Sequence, residues 1–175
     1  MNDFLPTDYK APVTGGNYMK LQDGENTFRV LSSAIVGWVD WIVEEDGTRR
    51  PKRYRMAEKP QPFNPEQPVK HFWAFVVWNY DAQAIQILEL TQKTIRDDIK
   101  ALVDNKKWGD PKKYDITITR SGEKLETKYS VMPNPHSELP KEVAQLWEET
   151  SINLEALYDG GDPFGKEDIA AEVTF

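Results

Sequence analysis

Arg49-Arg50-Pro51-Lys52-Arg53-Tyr54-Arg55 sets five cations around one aromatic ring within seven residues. Guanidinium groups make planar, paired contacts to phosphate oxygens and also stack on bases. Lys59 and Lys70 extend the run, so residues 49–70 hold seven basic side chains against Glu58 and Glu66. That pattern suits a polyanion, and each phosphate neutralised on a single strand steepens the dependence of log K on log salt by ~0.7. The plain alternative is a solvated loop whose charges pair with acidic residues elsewhere in the chain. Arg29 and Lys128, with Lys20 and Arg120, fall at outward strand positions or turns and are weaker candidates for the same task.

The second set is aromatic. Trp38 alternates with Asp40, which puts it on the polar face of its strand, whereas Trp41 shares a face with Val39 and Val43 and reads as core. His71 to Tyr80, written HFWAFVVWNY, is apolar on both faces. His71, Trp73, Phe75 and Val77 lie on one face, and Phe72, Ala74, Val76, Trp78 and Tyr80 on the other. One face must fill a core. The other needs a cover: a helix, a partner subunit (so a homodimer stays open) or stacked bases. Stacking a base on an aromatic ring is worth ~1–3 kcal/mol and tolerates any sequence. The candidate ligand contacts are therefore Trp38, Trp73, Phe75, Trp78 and Tyr80, joined by Tyr54 of the basic run. The competing account makes these rings core, or covers them with residues 1–25 and 141–157.

Catalysis finds little to stand on. His71 and His136 are the only histidines, and neither has a partner at a useful spacing. Asp97-Asp98 and Glu44-Glu45-Asp46 are local acid runs, unlike the separated acid pair of a hydrolase or a metal cage. No glycine-rich phosphate loop or serine elbow occurs. The absence of cysteine removes disulfides, thiolate metal sites and cysteine nucleophiles. A non-enzymatic binder without metal or cofactor is expected.

These residues need a scaffold, and residues 26–43 supply its start. Phe28 and Val30 alternate with polar neighbours, and Ile35–Val43 continues the pattern with Gly37 as a bend or bulge. Residues 48–70 contain Pro51, Pro60, Pro62, Pro65 and Pro68 and read as a long mobile loop. After HFWAFVVWNY, Asp81-Ala82-Gln83 turns the chain into a strand over 84–90. Thr91 is the expected N-cap of a helix to about Lys107, buried through Ile95, Ile99, Leu102 and Val103. Strands follow at Tyr114–Thr119 and around Tyr129–Val131. This order predicts a mainly β protein, a five-stranded Greek-key barrel of the OB-fold type with its helix between the third and fourth strands. Oligonucleotides and oligosaccharides are the common ligands of that fold. The expected organisation is an OB-fold domain over 1–140, a C-terminal helix over 141–157 and an acidic flexible tail over 158–175, disordered from Asp159-Gly160-Gly161 onward.

Charge divides the chain the same way. Residues 141–175 hold two basic and nine acidic residues, which accounts for the entire net charge of −7. The pI near 5.0 therefore describes the tail more than the body. The N-terminus has no signal-peptide pattern and no apolar run is long enough to span a bilayer, so a cytoplasmic protein with no membrane contact is expected.

Four segments in order carry a resemblance: Gly24-Glu25-Asn26-Thr27-Phe28-Arg29-Val30-Leu31, then KHFWAFVVWNY, IQILELTQKTIRDDI and WGDPKKYDITITRSG. Together they resemble the single-stranded DNA-binding proteins encoded by tailed bacteriophages, over about residues 18–135. The resemblance implies an OB-fold that coats single-stranded DNA during phage DNA replication, recombination and repair in the bacterial host cytoplasm. It also implies an acidic C-terminus that modulates DNA binding and recruits phage replication and recombination proteins. Bacterial proteins of this function end in an acidic stretch closed by Pro-Phe. Here Asp162-Pro163-Phe164 is internal and Phe175 is terminal. The partner-binding candidates are Asp159, Asp162, Phe164, Asp168, Glu172 and Phe175. The rival functions are an oligosaccharide-binding module, for which the basic run would be superfluous, and a protein-interaction adaptor.

Overall fold

The computed structural model describes Phe4 and residues 16–165. Seven antiparallel strands form one sheet: β1 Gly24–Val30, β2 Ile35–Val43, β3 Arg49–Arg55, β4 Lys70–Asn79, β5 Ala84–Leu90, β6 Tyr114–Ser121 and β7 Lys128–His136. Helix α1 (Lys93–Asp104) lies between β5 and β6, and α2 (Lys141–Glu149) follows β7. The hydrogen-bonded order is β3-β2-β4-β1-β6-β7, with β5 on the remaining edge of β4. The sheet thus has two strands more than the five expected, and no ladder joins β5 to β7 among the described residues.

β1 and β2 lie end to end along one edge of β4, paired at Val30↔Val77 and again at Ile35↔Ala74. Across the gap Leu31 donates its N–H to the Val76 carbonyl at 2.8 Å, and the Ser32 hydroxyl accepts the Val76 N–H at 2.9 Å. A serine side chain therefore stands in for a missing backbone partner, and the bend costs no unpaired amide.

The basic segment does not stay a mobile loop. Its first seven residues form β3, which pairs with β2 from Val43↔Arg49 to Gly37↔Arg55. Pro51 is tolerated because β3 is an edge strand, where a missing N–H can face outward. Residues 56–69 beyond it are irregular apart from a single 3-10 turn over Met56–Glu58.

The two faces of β4 bury against different things. Phe75 and Val77 join Phe28, Val30, Leu88, Leu90, Ile116 and Ile118 in a core closed by Ile95 and Ile99 of α1. Leu102 is half-buried, but Val103 is 41% exposed and does not belong to that face. Helix α1 is also shorter than expected, and it starts from Gln92 rather than Thr91 with no side-chain cap. The opposite face, carrying Phe72, Ala74 and Val76, is covered by the C-terminal segment through Val143, Trp147, Ile152, Leu154 and Leu157.

That cover continues past the point where disorder is expected. Asn153 donates its N–H to the Pro163 carbonyl at 2.7 Å, Gly160 turns the chain at φ 72°, and Phe164 meets Tyr18 edge-on at 6.4 Å. Pro163 is buried. Acid-rich composition hid two apolar residues with a docking place. No helix among the described residues is long and apolar enough to cross a membrane.

Candidate nucleic-acid interface

The register of β2 builds a row of rings. Trp38 lies opposite Tyr54 on β3 and opposite His71 on β4, so the three share one face. Trp38 and His71 have ring centroids 5.2 Å apart. Two residues further along β4, Trp73 continues the row on the same face.

Gly37 makes this crossing close. A Cβ there would sit 2.0 Å from the Tyr54 carbonyl oxygen and 3.1 Å from the Phe72 ring. The same carbonyl-dense spot fixes His71, whose Nδ1 donates to the Gly37 carbonyl at 2.7 Å. Close backbone approach, more than a bulge, is what this glycine permits.

Cations lie over these rings. The Lys59 ammonium sits 4.5 Å from the centre of the Trp38 ring, and the Lys52 ammonium 5.3 Å from that of Tyr54. The Trp38 indole N–H donates to the Met56 carbonyl at 3.0 Å, which fixes the ring plane. Beyond His71 the row opens into a cleft of about 490 Å³, walled by Trp73 and Phe75 and by Ile99 and Val103 of α1. Ser32, Ser33, Asp110 and Lys112 give it a polar rim.

The expected contacts divide sharply in this frame. Trp38, Tyr54, Lys52 and Trp73 converge on the row, with Phe75 as the buried floor of the cleft. Arg53 is committed elsewhere: its guanidinium donates to both Glu89 oxygens, at 2.6 and 3.2 Å. Arg55 packs over the Tyr158 ring at 4.5 Å and reaches Glu155 at 3.5 Å, and Arg50 pairs with Glu44. Arg49 lies over Trp41 at 5.5 Å. Among the described residues no carboxylate comes within ion-pairing distance of Arg49, Lys52, Lys59 or Lys70.

Four expectations need correction. Arg29 is 1% exposed, not outward: it donates to Asp115 at 2.7 Å, to the Lys112 and Ser137 carbonyls, and to the Ser137 hydroxyl at 2.7 Å. It is an internal strut between β1 and the approach to α2. Trp78 lies under the C-terminal segment with Val143 and Trp147. Tyr80 is half-buried and donates its hydroxyl to Asp115 at 2.9 Å; burial, then that bond, push its pKa up to about 12. Trp41, read as core, is 41% exposed, because β4 pairs with β2 only as far as Val39. Lys128 is exposed at the start of β7, the end of the sheet order opposite β3.

Of the tail residues, Asp159 is exposed and lines a small pocket of about 120 Å³ with Arg50, Lys52 and Arg53. Asp162 accepts the Phe164 N–H at 2.9 Å, and Phe164 packs on the body. Asp168, Glu172 and Phe175 lie outside the described residues. Sequence reasoning counted Lys59 in the basic run without placing it over Trp38, and missed the Ser32–Ala34 connector that lines the cleft. The ring partner of Lys59 depended on the path of an irregular loop.

No protein-family model matches this chain, and neither the curated proteins nor the solved structures give a match.

Proposed function

We propose that this chain binds single-stranded nucleic acid, with little dependence on sequence, along the row Tyr54–Trp38–His71–Trp73. One observation carries the reading: three of those rings are aligned across three strands, two have ammonium groups above them, and neither ammonium has a carboxylate partner among the described residues. Flat apolar faces beside uncommitted cations suit a flexible strand that presents bases on one side and phosphates on the other. A neutral sugar would use the rings and have no need of the cations.

The strand order supports the same reading. β4, β5, α1, β6 and β7, preceded by β1 and β2 lying end to end along β4, follow the strand–strand–strand–helix–strand–strand order of the OB-fold, with β3 as an addition. We read the chain as a variant of that barrel and, from its sequence resemblance, as a phage protein that coats single-stranded DNA during replication and recombination. Titration of poly-dT with Trp emission as the signal tests this at several salt concentrations. Quenching with an affinity that falls as salt rises is expected. Affinity indifferent to salt would favour an oligosaccharide ligand, and absence of quenching a protein adaptor.

A further inference from the structure

Trp41 is an exposed ring that the proposed interface leaves unused. It lies on the face of β2 opposite to Trp38, on the part of the β2–β3 hairpin that projects past the last β4 pairing at Val39↔Lys70. The Arg49 guanidinium stands over the ring at 5.5 Å and is steadied by Gln67, whose Oε1 accepts from it at 3.4 Å. Ring and cation form one wall of a cleft of about 380 Å³ that Gln67, Pro68 and Lys70 close. Of the two carboxylates there, Asp40 is 5% exposed and accepts the Phe63 N–H at 2.8 Å, which leaves Glu66. A carboxylate beside a stacking ring can accept an N–H from a base edge, the N3–H of an unpaired thymine included.

We propose that this cleft is a second stacking subsite for the same single strand, which crosses the edge of β3 at its Arg49 end and holds the hairpin from both faces; the proposal rests on the function proposed above. Cations on β3 point to alternate faces, so Lys52 on one side and Arg49 on the other mark a charged path around that edge. The hairpin tip, Glu44-Glu45-Asp46, is acidic. A polyanion is repelled from the tip and admitted at the flank, which favours wrapping over insertion of the tip into a duplex groove. A second copy of the chain is a poor occupant, because pairing β3 with another β3 would set like charges against each other.

The test compares the full chain with Trp38→Ala, Trp41→Ala and Trp41→Phe, using dT oligomers from about 4 to about 16 nucleotides, the span of site sizes on one such barrel. Trp41→Ala should bind the shortest oligomers within about twofold of the unaltered chain and the longest about tenfold more weakly, with Trp41→Phe recovering most of the loss. Trp38→Ala should weaken binding at every length. Trp41→Ala indistinguishable from the unaltered chain at every length, or weakened equally at every length, overturns the second subsite. Conversion of a sedimenting dimer to a monomer by Trp41→Ala also overturns it, and assigns the ring to a contact between copies. Loss of any effect from Trp38→Ala as well places the failure in the aromatic row itself.

Discussion

Arg29 shows how far a residue's type can mislead about its role. It was a cation on a strand with outward positions, and it is instead a buried strut with Asp115 and Ser137 as partners. Arg29→Met should therefore cost stability, about 3–5 kcal/mol as for breaking a buried pair, since Asp115 is left without its counter-charge. Urea midpoints measure this, and the folded fraction should bind oligonucleotide unchanged. Tyr80, on the same carboxylate, gives a pH test. Its folded pKa of about 12 lies above the ~10 of an unfolded tyrosine. Its contribution is full below pH ~10 and is lost as pH rises toward 12. Tyr18, Tyr114 and Tyr158 are also raised, by burial first, and act in the same sense. The urea midpoint of the unaltered chain should fall between pH 10 and 12, and Tyr80→Phe should make that fall shallower without abolishing it. Alternation placed Trp38 on the polar face of its strand, but it left both faces of β4 apolar and could not choose between Trp73 and Trp78. Arg29 and Tyr80 were not legible, because their partners come from β6 and the approach to α2, far off in sequence.

At the scale of elements, the β2–β3 hairpin carries the account. Alternation and charge marked its residues, but five prolines over 48–70 argued for a loop. Edge position decides the matter: a proline on an edge removes no ladder bond the sheet needs. The same hairpin explains Trp41, since a strand that outruns its neighbour exposes a residue that alternation alone would bury. Gly37 holds the hairpin against β4. Gly37→Ala should destabilise the fold by about 2 kcal/mol or more, because the new methyl meets a backbone carbonyl that cannot rotate away. Thermal unfolding checks the loss, and Lys59 and Lys52 should lose their positions over the rings, with weaker nucleic-acid binding in what remains folded.

Across the whole molecule, the described part of the C-terminal segment has a structural task. Residues 139–164 roof the second face of β4, so the question of what covers that face is answered within the chain. The acidic residues after Gly165 are the part we propose competes with polyanions for the cations. A chain ending at Gly165 isolates that role, whereas a cut at Gly161 would also strip Pro163 and Phe164 from their seat. The chain ending at Gly165 should keep its stability and bind poly-dT more tightly at low salt, with the difference shrinking as salt rises. Equal affinities at all salts would leave the tail without a competitor role.

The row Tyr54–Trp38–His71–Trp73 is proposed to receive stacked bases. Poly-dT affinity of Trp38→Ala and Trp73→Ala, measured by anisotropy of labelled DNA at fixed salt with folding checked by circular dichroism, tests that claim most directly. Each substitution should weaken binding about tenfold or more in a folded protein. Two folded variants that bind as tightly as the unaltered chain would contradict the claim and move the interface off this face of the sheet.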